Sequence, residues 1–243
     1  MSCPTPRGGS KNATGLLNLF FFSEVHFATF LIFEKGIRGE YEEKGVSGFY
    51  ESQGAEYTNP HEPRVRKALL DTLRTVPVDT TRVLDLCCGS GEVTSFLRDR
   101  GVRDIVGCDP FTHEAFLKRT GSPAWQLSFA DIADGEWGGA DENDTVDNED
   151  ENHDTNENFE QNEYEKNNTF SLCVCSYAMH LCPTHRLSML LYFLACRCRQ
   201  LLILTPHKRP VLPPNCGFTL QREFVVERVR VRYYTSSLFG SAT

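Results

Sequence analysis

The sequence contains no C-x-x-C pair, although ten of its 243 residues are cysteine. Small zinc sites draw most of their ligands from such pairs, and the C-x-C spacings found here suit a strand rather than a zinc knuckle. A chain of this length also buries a core of its own, so it does not depend on a framework of disulfides. We therefore expect reduced thiols in an intracellular compartment, the cytoplasm, and no bound metal.

No small-residue cleavage site accompanies the apolar stretch Leu16–Phe33, so the sequence does not favour a secretory leader. Thirteen of the eighteen residues in this stretch are apolar, which makes it long enough to consider as a membrane span. Glu24 and His26 lie near its centre, however, where a carboxylate alone costs about 2.5 to 3.5 kcal/mol to insert. We expect residues 1–36 to be an N-terminal extension or a buried helix, and membrane contact through residues 16–33 is the disfavoured alternative.

Basic residues are nearly missing from one segment. Between Asp141 and Asn168, twelve residues are acidic and one is basic, whereas the rest of the chain holds 24 basic and 21 acidic residues. The net charge of −8 therefore arises in this segment, which also has too few apolar side chains to offset its ordering entropy. The composition predicts a disordered acidic insert over residues 141–168. A tolerated surface insertion is the simpler interpretation, and an acidic arm for a basic partner is the alternative.

Outside the insert, short apolar runs alternate with helical patterns, which is typical of parallel strands joined by right-handed crossovers. We expect an α/β fold with a doubly wound, mostly parallel sheet flanked by helices and a C-terminal antiparallel hairpin. A lead-in over residues 37–79 precedes the domain of residues 80–243. The predicted strands are Arg82–Leu86, Asp104–Cys108, Ala124–Phe129, Phe170–Ser176 and Gln200–Thr205; the predicted helices are Pro63–Leu73, Gly91–Arg100 and Thr184–Arg197; and the predicted hairpin is Phe218–Tyr234.

A glycine-rich turn follows the first predicted strand, in the stretch Val83-Leu84-Asp85-Leu86-Cys87-Cys88-Gly89-Ser90-Gly91. In open α/β sheets the first such turn lets the backbone approach a ligand at the carboxyl ends of the strands. The third glycine of a dinucleotide-binding G-x-G-x-x-G motif would fall at Thr94 and is absent. A pyrophosphate loop is therefore disfavoured.

Two acidic residues follow the next two predicted strands. Asp109 comes directly after the second strand, where a carboxylate can accept hydrogen bonds from both hydroxyls of a ribose. Asp131 follows the third strand, where the amino group of an adenine would lie. Each could instead be a helix cap, because Asp is favoured there. Together with the glycine turn, the pair favours a nucleoside-binding site.

These residues resemble the class I S-adenosylmethionine-dependent methyltransferases over residues 45–243. The resemblance implies that Asp85 supports the turn and the amino-acid end of the cofactor, that Asp109 binds its ribose, and that Ser176 and Tyr177 border its methyl donor. One departure is Cys87, which stands where the family usually has glycine. The predicted cofactor-binding residues are Asp85, Cys87, Cys88, Gly89, Gly91, Asp109, Asp131, Ile132 and Ser176.

The end of the fourth predicted strand bears on the methyl acceptor. Methyltransferases acting on exocyclic base amines or glutamine amides resemble one another in an Asn/Asp-Pro-Pro-aromatic tetrad there, but this chain has Ser176-Tyr177-Ala178-Met179. The chain also has no strongly basic added domain. Both absences favour a small-molecule acceptor, while RNA and protein stay open and nucleic acid is not favoured.

The lead-in around Tyr50 and Tyr57 resembles the segment that covers the cofactor in many small class I methyltransferases, although Asn59-Pro60 and Glu62-Pro63 also fit plain turn and helix-start signals. Candidate catalytic residues are Tyr57, His180 and His207, because aromatic faces attract cations and histidine titrates near neutrality. His61 is a further candidate base. A histidine that only hydrogen-bonds within the fold is the alternative in each case.

Cations cluster near the same edge and in the predicted hairpin. Lys208 and Arg209 follow the fifth strand, and alternation predicts Arg228, Arg230 and Arg232 on one strand face. They suit phosphates or an acidic substrate, or they protect an edge strand from pairing with other chains. The alternative to an enzyme is a catalytically inactive methyltransferase-like binding or regulatory subunit.

Overall fold

The computed structural model describes residue 45, residues 48–138 and residues 168–240. The chain divides into two compact units, Met1–Gly45 and Val46–Thr243, and almost every described residue belongs to the second. The predictions for residues 1–36 and for most of the acidic insert lie outside the described residues. Asn168, at the predicted end of that insert, is buried.

Seven strands form one sheet in the order β3-β2-β1-β4-β5-β7-β6. Neighbours among β1 to β5 pair in parallel, whereas β7 is antiparallel to both β5 and β6. The predicted fold class is therefore confirmed, including the hairpin at the carboxyl end of the chain. The strands are β1 Val83–Leu86, β2 Ile105–Cys108, β3 Ala124–Trp125, β4 Phe170–Ser176, β5 Cys198–Thr205, β6 Phe218–Val226 and β7 Val229–Ser236.

The strand order reverses between β1 and β4, which pair from Val83–Leu172 to Leu86–Cys175. Successive strands run outward from this point in both directions, so the loops after β1 and β4 diverge and leave a crevice at their carboxyl ends. Both strands are apolar and covered on both sides, as expected for parallel strands at the centre of a sheet. The crevice therefore lies between rigid elements.

Helices cover both faces of the sheet and define two apolar cores. One core contains β1 Leu84 with residues of the last two helices, and the other contains Val83 with residues of the first two. None of the helices in the described part has the length and apolarity needed to cross a bilayer. The helices are α1 Glu62–Thr75, α2 Glu92–Arg98, α3 His113–Thr120, α4 Phe129–Ala133 and α5 Thr184–Arg197.

The structure corrects the third predicted strand. Only Ala124–Trp125 pairs with β2, and Phe129 is the first residue of α4 instead of the last of a strand. The cause is Ser128, whose hydroxyl accepts hydrogen bonds from the amides of Ala130 and Asp131 and so starts a helix. Because Ser128 lies between apolar residues, the sequence pattern predicts a continuous strand there and not a helix cap.

Several predicted ends also move. The helix predicted over Gly91–Arg100 runs from Glu92 to Arg98, and the fifth strand begins at Cys198 rather than Gln200. Arg228 has a φ of +72° and lies in the turn between β6 and β7, so only Arg230 and Arg232 of the predicted arginine face belong to the strand.

Gly107 in β2 lies directly under the ring of Phe116 in α3, so Gly107→Ala should lower the free energy of unfolding by about 1 to 3 kcal/mol. An added Cβ would stand 2.5 Å from Cζ of Phe116, whose side chain is fully buried. Urea denaturation measures the effect. The control is Gly107→Ala with Phe116→Leu: if the clash is the cause, the double variant loses less stability than the two single changes together. Simple additivity would contradict this packing.

Candidate active site

The turn after β1 bends through the left-handed region three times. Cys87 and Gly89 each have a φ of +56°, and Gly91 has a φ of +88°. A Cβ at Gly91 would stand 2.6 Å from Cγ2 of Thr120, and a Cβ at Gly89 would stand 3.3 Å from the ring of Tyr57. Both glycines are therefore required by conformation and by close approach. The amide of Gly91 donates to the carbonyl of Cys88 at 2.9 Å, which closes the turn before α2.

Cys87 keeps the backbone conformation that glycine would adopt. A left-handed conformation costs a residue with a Cβ roughly 1 to 2 kcal/mol, and such strain concentrates at functional sites. The Cys87 thiol pairs with the Cys175 thiol at the end of β4, and this hydrogen bond together with burial raises the pKa of Cys87 well above its usual value. The departure from the family pattern at this position therefore changes the side chain and leaves the turn in place.

Asp85 is the buried acid beneath the turn. Its Oδ2 accepts hydrogen bonds from the amide of Thr94 at 3.1 Å and from the Thr94 hydroxyl at 2.7 Å, and these bonds fix α2 against β1. Its Oδ1 is buried and has no hydrogen-bond partner within the described ranges. Burial raises the pKa of Asp85 to about 8, and the nearby carboxylates of Glu92 and Asp109 act in the same direction. An acceptor oxygen of this kind suits a cationic ligand group such as an ammonium.

Asp109 divides its two oxygens between a helix and the turn. Oδ1 accepts hydrogen bonds from the amides of Phe111 at 2.9 Å and Thr112 at 3.0 Å, just before α3 begins. Oδ2 accepts a longer bond of 3.3 Å from the amide of Gly89. The carboxylate is thus held rigidly, with one oxygen directed at the glycine turn.

Asp131 is part of a capping box at the start of α4. Its Oδ2 accepts a hydrogen bond from the amide of Ser128 at 2.7 Å, while the Ser128 hydroxyl accepts from the amide of Asp131. The helix-cap interpretation left open by the sequence thus describes this carboxylate in the structure. Ile132 beside it is buried in the core. An adenine contact for either residue stays a prediction.

The ends of β4 and β5 bring the predicted catalytic histidines together. The rings of His180 and His207 meet edge to face, with centroids 4.4 Å apart. Nδ1 of His180 is buried without a hydrogen-bond partner among the residues that the structure describes. Burial, and then the charge of His207, lower the pKa of His180 to about 4. His180 is therefore neutral near pH 7, while His207 is exposed.

Ser176 and Tyr177 end β4 at the same edge. The Ser176 hydroxyl oxygen is buried without a partner in the described part of the chain. Tyr177 has a φ of +59°, and its amide donates to the carbonyl of Leu204 at 2.7 Å. Its ring stacks on His61 with centroids 5.2 Å apart, which brings the lead-in and the strand end together. Burial is the main cause that lowers the pKa of His61 and raises that of Tyr177.

The lead-in contacts the glycine turn and the residues after β2. Tyr50 stacks on Phe111 with ring centroids 5.9 Å apart and meets the ring of Tyr57 at 5.4 Å. A Cβ on Gly54 would stand 2.2 Å from the carbonyl oxygen of Phe111, so glycine permits this contact. Tyr57 lies against Gly89, as described above. The covering segment expected from the resemblance is therefore in contact with the site.

Sequence reasoning missed an acidic network around the turn. Glu92 is only 5 % exposed, and its Oε1 accepts from the Ser90 hydroxyl at 2.7 Å and from the amide of Asn59 at 3.2 Å. Arg119 of α3 donates two hydrogen bonds to Glu62 at 2.6 and 3.1 Å and lies 3.9 Å from Glu92. The network joins the lead-in, the turn and α3. In the sequence, the one hint of this network is the position of Glu92 directly after Gly91.

The described ranges contain neither a disulfide nor a cluster of metal-ligating side chains. All nine cysteines there are free thiols. No group of three or more histidine, cysteine or acidic side chains in residues 48–138 and 168–240 is arranged to hold a metal ion.

A family model described as a methyltransferase domain matches residues 58–201, which is more than half of the chain. The chain belongs to the methyltransferase-domain family. The resemblance to class I S-adenosylmethionine-dependent methyltransferases is thereby confirmed, and S-adenosylmethionine is the cofactor.

The chain is similar to the following three proteins. An uncharacterized protein of Schizosaccharomyces pombe is 27 % identical over 197 residues, covering 63 % of this chain and 70 % of the yeast protein. Magnesium protoporphyrin IX methyltransferase of Synechocystis PCC 6803, solved with S-adenosylmethionine bound, is 15 % identical, covers 79 % of this chain and 92 % of its own, and gives a TM-score of 0.49. An O-methyltransferase family protein of Burkholderia thailandensis is 12 % identical, with shares of 88 % and 70 % and a TM-score of 0.48.

The residues of this methyltransferase domain fit the cofactor. Gly89 and Gly91 permit the left-handed turn and the close packing of Tyr57 and Thr120 against it, and Oδ1 of Asp85 is a buried acceptor with no partner in the described protein. Asp109 presents a rigid carboxylate at the end of β2, the position suited to ribose hydroxyls. The ammonium group of an amino acid and the ribose hydroxyls of a nucleoside therefore have candidate acceptors along one edge of the sheet.

The raised pKa of Asp85 predicts a pH dependence of stability in the cofactor-free protein. The folded protein holds a proton on Asp85 up to about pH 8, whereas the unfolded chain releases it near 3.8. The free energy of unfolding of the wild type, relative to Asp85→Asn, should therefore fall between pH 4 and 8, with a slope approaching about 1.4 kcal/mol per pH unit.

Urea denaturation across that pH range measures the difference, and Glu114→Gln, which removes an exposed carboxylate from α3, is the matched control. A relative stability of wild type and Asp85→Asn that stays flat with pH would contradict a protonated Asp85.

Proposed function

We propose that the chain is an active enzyme that transfers the methyl group of S-adenosylmethionine to an oxygen or nitrogen of a small molecule. When bound, the cofactor would supply a sulfonium methyl group that the acceptor attacks in line, with S-adenosylhomocysteine as the leaving group. Positioning and desolvation of the two reactants contribute most of the rate in such a reaction. The observation that supports activity is the edge-to-face pair His180 and His207, which follows β4 and β5 at the same edge of the sheet as the glycine turn after β1.

Four residues hold the cofactor in this proposal. Oδ1 of Asp85 accepts hydrogen bonds from its amino group, and Gly89 and Gly91 let the backbone approach its amino-acid portion. The carboxylate of Asp109 accepts from its ribose hydroxyls, because Oδ2 already faces the turn at 3.3 Å. These assignments rest on the fit of donors to acceptors.

The lead-in excludes water from the reacting atoms. Tyr57 lies over Gly89, and Asn59 is tied to Glu92 by the hydrogen bond from its amide. The face of Tyr57 supports the positive charge of the sulfonium, since aromatic faces attract cations. His61 and Tyr177 form the side of the entrance next to β4.

The histidine pair removes the acceptor's proton. Because its pKa is lowered to about 4, His180 is neutral and offers a lone pair to the proton of the acceptor without retaining it. The proton then leaves His180 to water, and His207, in edge contact with His180 and exposed to solvent, borders the route by which it leaves. Methyl transfer to oxygen or nitrogen needs such a step, and a positioned base contributes about 10² to 10⁴ in rate.

A small acceptor agrees with the end of β4 and with the lead-in. Ser176-Tyr177-Ala178-Met179 lacks the tetrad associated with base amines and glutamine amides, and Tyr57, in ring contact with Tyr50, lies against the glycine turn. These features support a compact acceptor over a folded RNA or a protein surface.

A binding subunit without turnover is the second candidate. Cys87 favours it, because a thiol fills part of the space that glycine leaves at the cofactor turn. Saturable cofactor binding with no labelled product from small-molecule, RNA or protein fractions would select this second function.

Asp109→Ala should weaken S-adenosylhomocysteine binding by at least tenfold, because the rigid acceptor for the ribose is lost. Asp104→Ala removes an acid at the opposite end of β2 and is the matched control. Isothermal titration calorimetry measures both, with thermal unfolding to correct for the lost cap of α3. Equal affinities in the two variants would contradict the assigned ribose site.

His180→Gln and His207→Gln should each lower methyl transfer by about 10² or more while leaving cofactor affinity within twofold. The assay follows label from methyl-tritiated S-adenosylmethionine into separate small-molecule, RNA and protein fractions of a cell extract. His185→Gln, an exposed histidine of α5, is the control. Unchanged transfer in both rim variants would remove the histidine pair from the reaction, and label in the RNA or protein fraction alone would refute a small acceptor.

A further inference from the structure

A short loop after β5 carries the outer histidine of the candidate active site. Residues 206–209 are exposed, and His207, Lys208 and Arg209 are adjacent in it. The amide of His207 donates to the hydroxyl of Thr205 at 3.1 Å, which fixes the first turn of the loop. An exposed polar loop needs a further anchor to keep the ring of His207 against His180.

Arg232 in β7 provides that anchor. It is 5 % exposed, and it pairs across the sheet with Ile203 of β5. Its Nη1 donates to the carbonyl of Pro210 at 2.5 Å, and its Nη2 donates to the carbonyl of Lys208 at 2.6 Å. The planar guanidinium therefore holds two backbone carbonyls on either side of Arg209.

Glu223 completes the anchor from the neighbouring strand β6. Its Oε2 accepts from Nε of Arg232 at 2.7 Å, and its Oε1 accepts from Arg230. Two arginines thus share one carboxylate, and the hydrogen bond from Arg232, then that from Arg230 and the charges of both, lower the pKa of Glu223. Only Arg232 continues to the loop, while Arg230 ends at Glu223. The two side chains form a matched pair for experiment.

The chemistry of the anchor is specific to arginine. Three nitrogens of one rigid plane satisfy one carboxylate and two carbonyls at once, which a lysine ammonium on a flexible stem does not reproduce. A buried cation is costly unless it is paired and hydrogen-bonded, and every bond that repays this cost is directed at Glu223 or at the loop. Phosphate binding and protection of an edge strand were the roles expected for these arginines from the sequence, whereas Arg232 binds the protein's own backbone.

We infer that Arg232 is a positioning residue that holds the loop of residues 206–210 so that His207 meets His180 at the acceptor side of the site. Its consequence for catalysis rests on the proposed function. The placement of the two rings does not, because the hydrogen bonds that hold the loop to Arg232 and Thr205 exist independently of any reaction.

The test compares Arg232→Gln, Arg232→Lys and Arg230→Gln by NMR of the histidine rings across a pH titration. In Arg232→Gln the loop is released, so the ring contact between His180 and His207 is lost and the titration midpoint of His180 moves up toward 6.5, as burial and the charge of His207 both diminish. Arg232→Lys should show a partial shift. Arg230→Gln should match the wild type.

Cofactor affinity and thermal unfolding separate positioning from collapse of the fold. We expect S-adenosylhomocysteine to bind Arg232→Gln within twofold of the wild type, and once an acceptor is known, kcat to fall with little change in KM for the cofactor. A wild-type His180 titration and ring contact in folded Arg232→Gln would overturn the inference. If Arg232→Gln does not fold, the same measurement on Arg232→Lys decides. A titration of His180 identical to that of the wild type would then refute the inference. Absence of methyl transfer by the wild type would refute the proposed function, but the NMR titration of the Arg232 variants would still test the positioning role.

Discussion

The site depends on one constraint, the left-handed bends that the backbone makes directly after β1. They turn the chain out of the sheet and into α2 within five residues. Gly89 and Gly91 are needed in this turn because a Cβ at either position would be crowded by neighbouring side chains. Cys87 adopts the same conformation at a cost, and its thiol is held by Cys175 of the adjacent strand. The turn follows directly from β1, which pairs with β4. Tyr57 of the lead-in lies against its first glycine, Gly89.

In the acids near the turn, the two oxygens of a carboxylate have different surroundings. Asp85, Asp109 and Asp131 each commit one oxygen to backbone amides that start a helix or fix it against the sheet. The carboxylates are thereby held in place before any ligand arrives, and preorganised acceptors lose little entropy on binding. The remaining oxygen of Asp85 is buried without a partner in the described protein, and that of Asp109 reaches the turn. In the proposed site, the side chains that stabilise the fold are therefore also the ones that would recognise the ligand.

Much of the fold followed from local patterns, because apolar runs, glycines and helix signals are short-range features. They predicted the mostly parallel sheet, the terminal hairpin and the glycine-rich turn after β1. They failed where one side chain outweighs a run, as Ser128 does by starting α4 inside a predicted strand. They also failed for contacts distant in sequence, such as Arg119 with Glu62 and Arg232 with the carbonyls of the loop after β5. Both arginines were visible as charges, but their partners depend on how the sheet is assembled.

A crystal structure with S-adenosylhomocysteine bound tests the central claim most directly, that the cofactor lies along the carboxyl ends of β1 and β2. The account predicts that the amino group of the ligand lies within hydrogen-bond distance of Oδ1 of Asp85, that the amino-acid portion crosses Gly89 and Gly91, and that the ribose hydroxyls contact Asp109. A ligand bound elsewhere, or a folded protein that takes up none at saturating concentration, would contradict it.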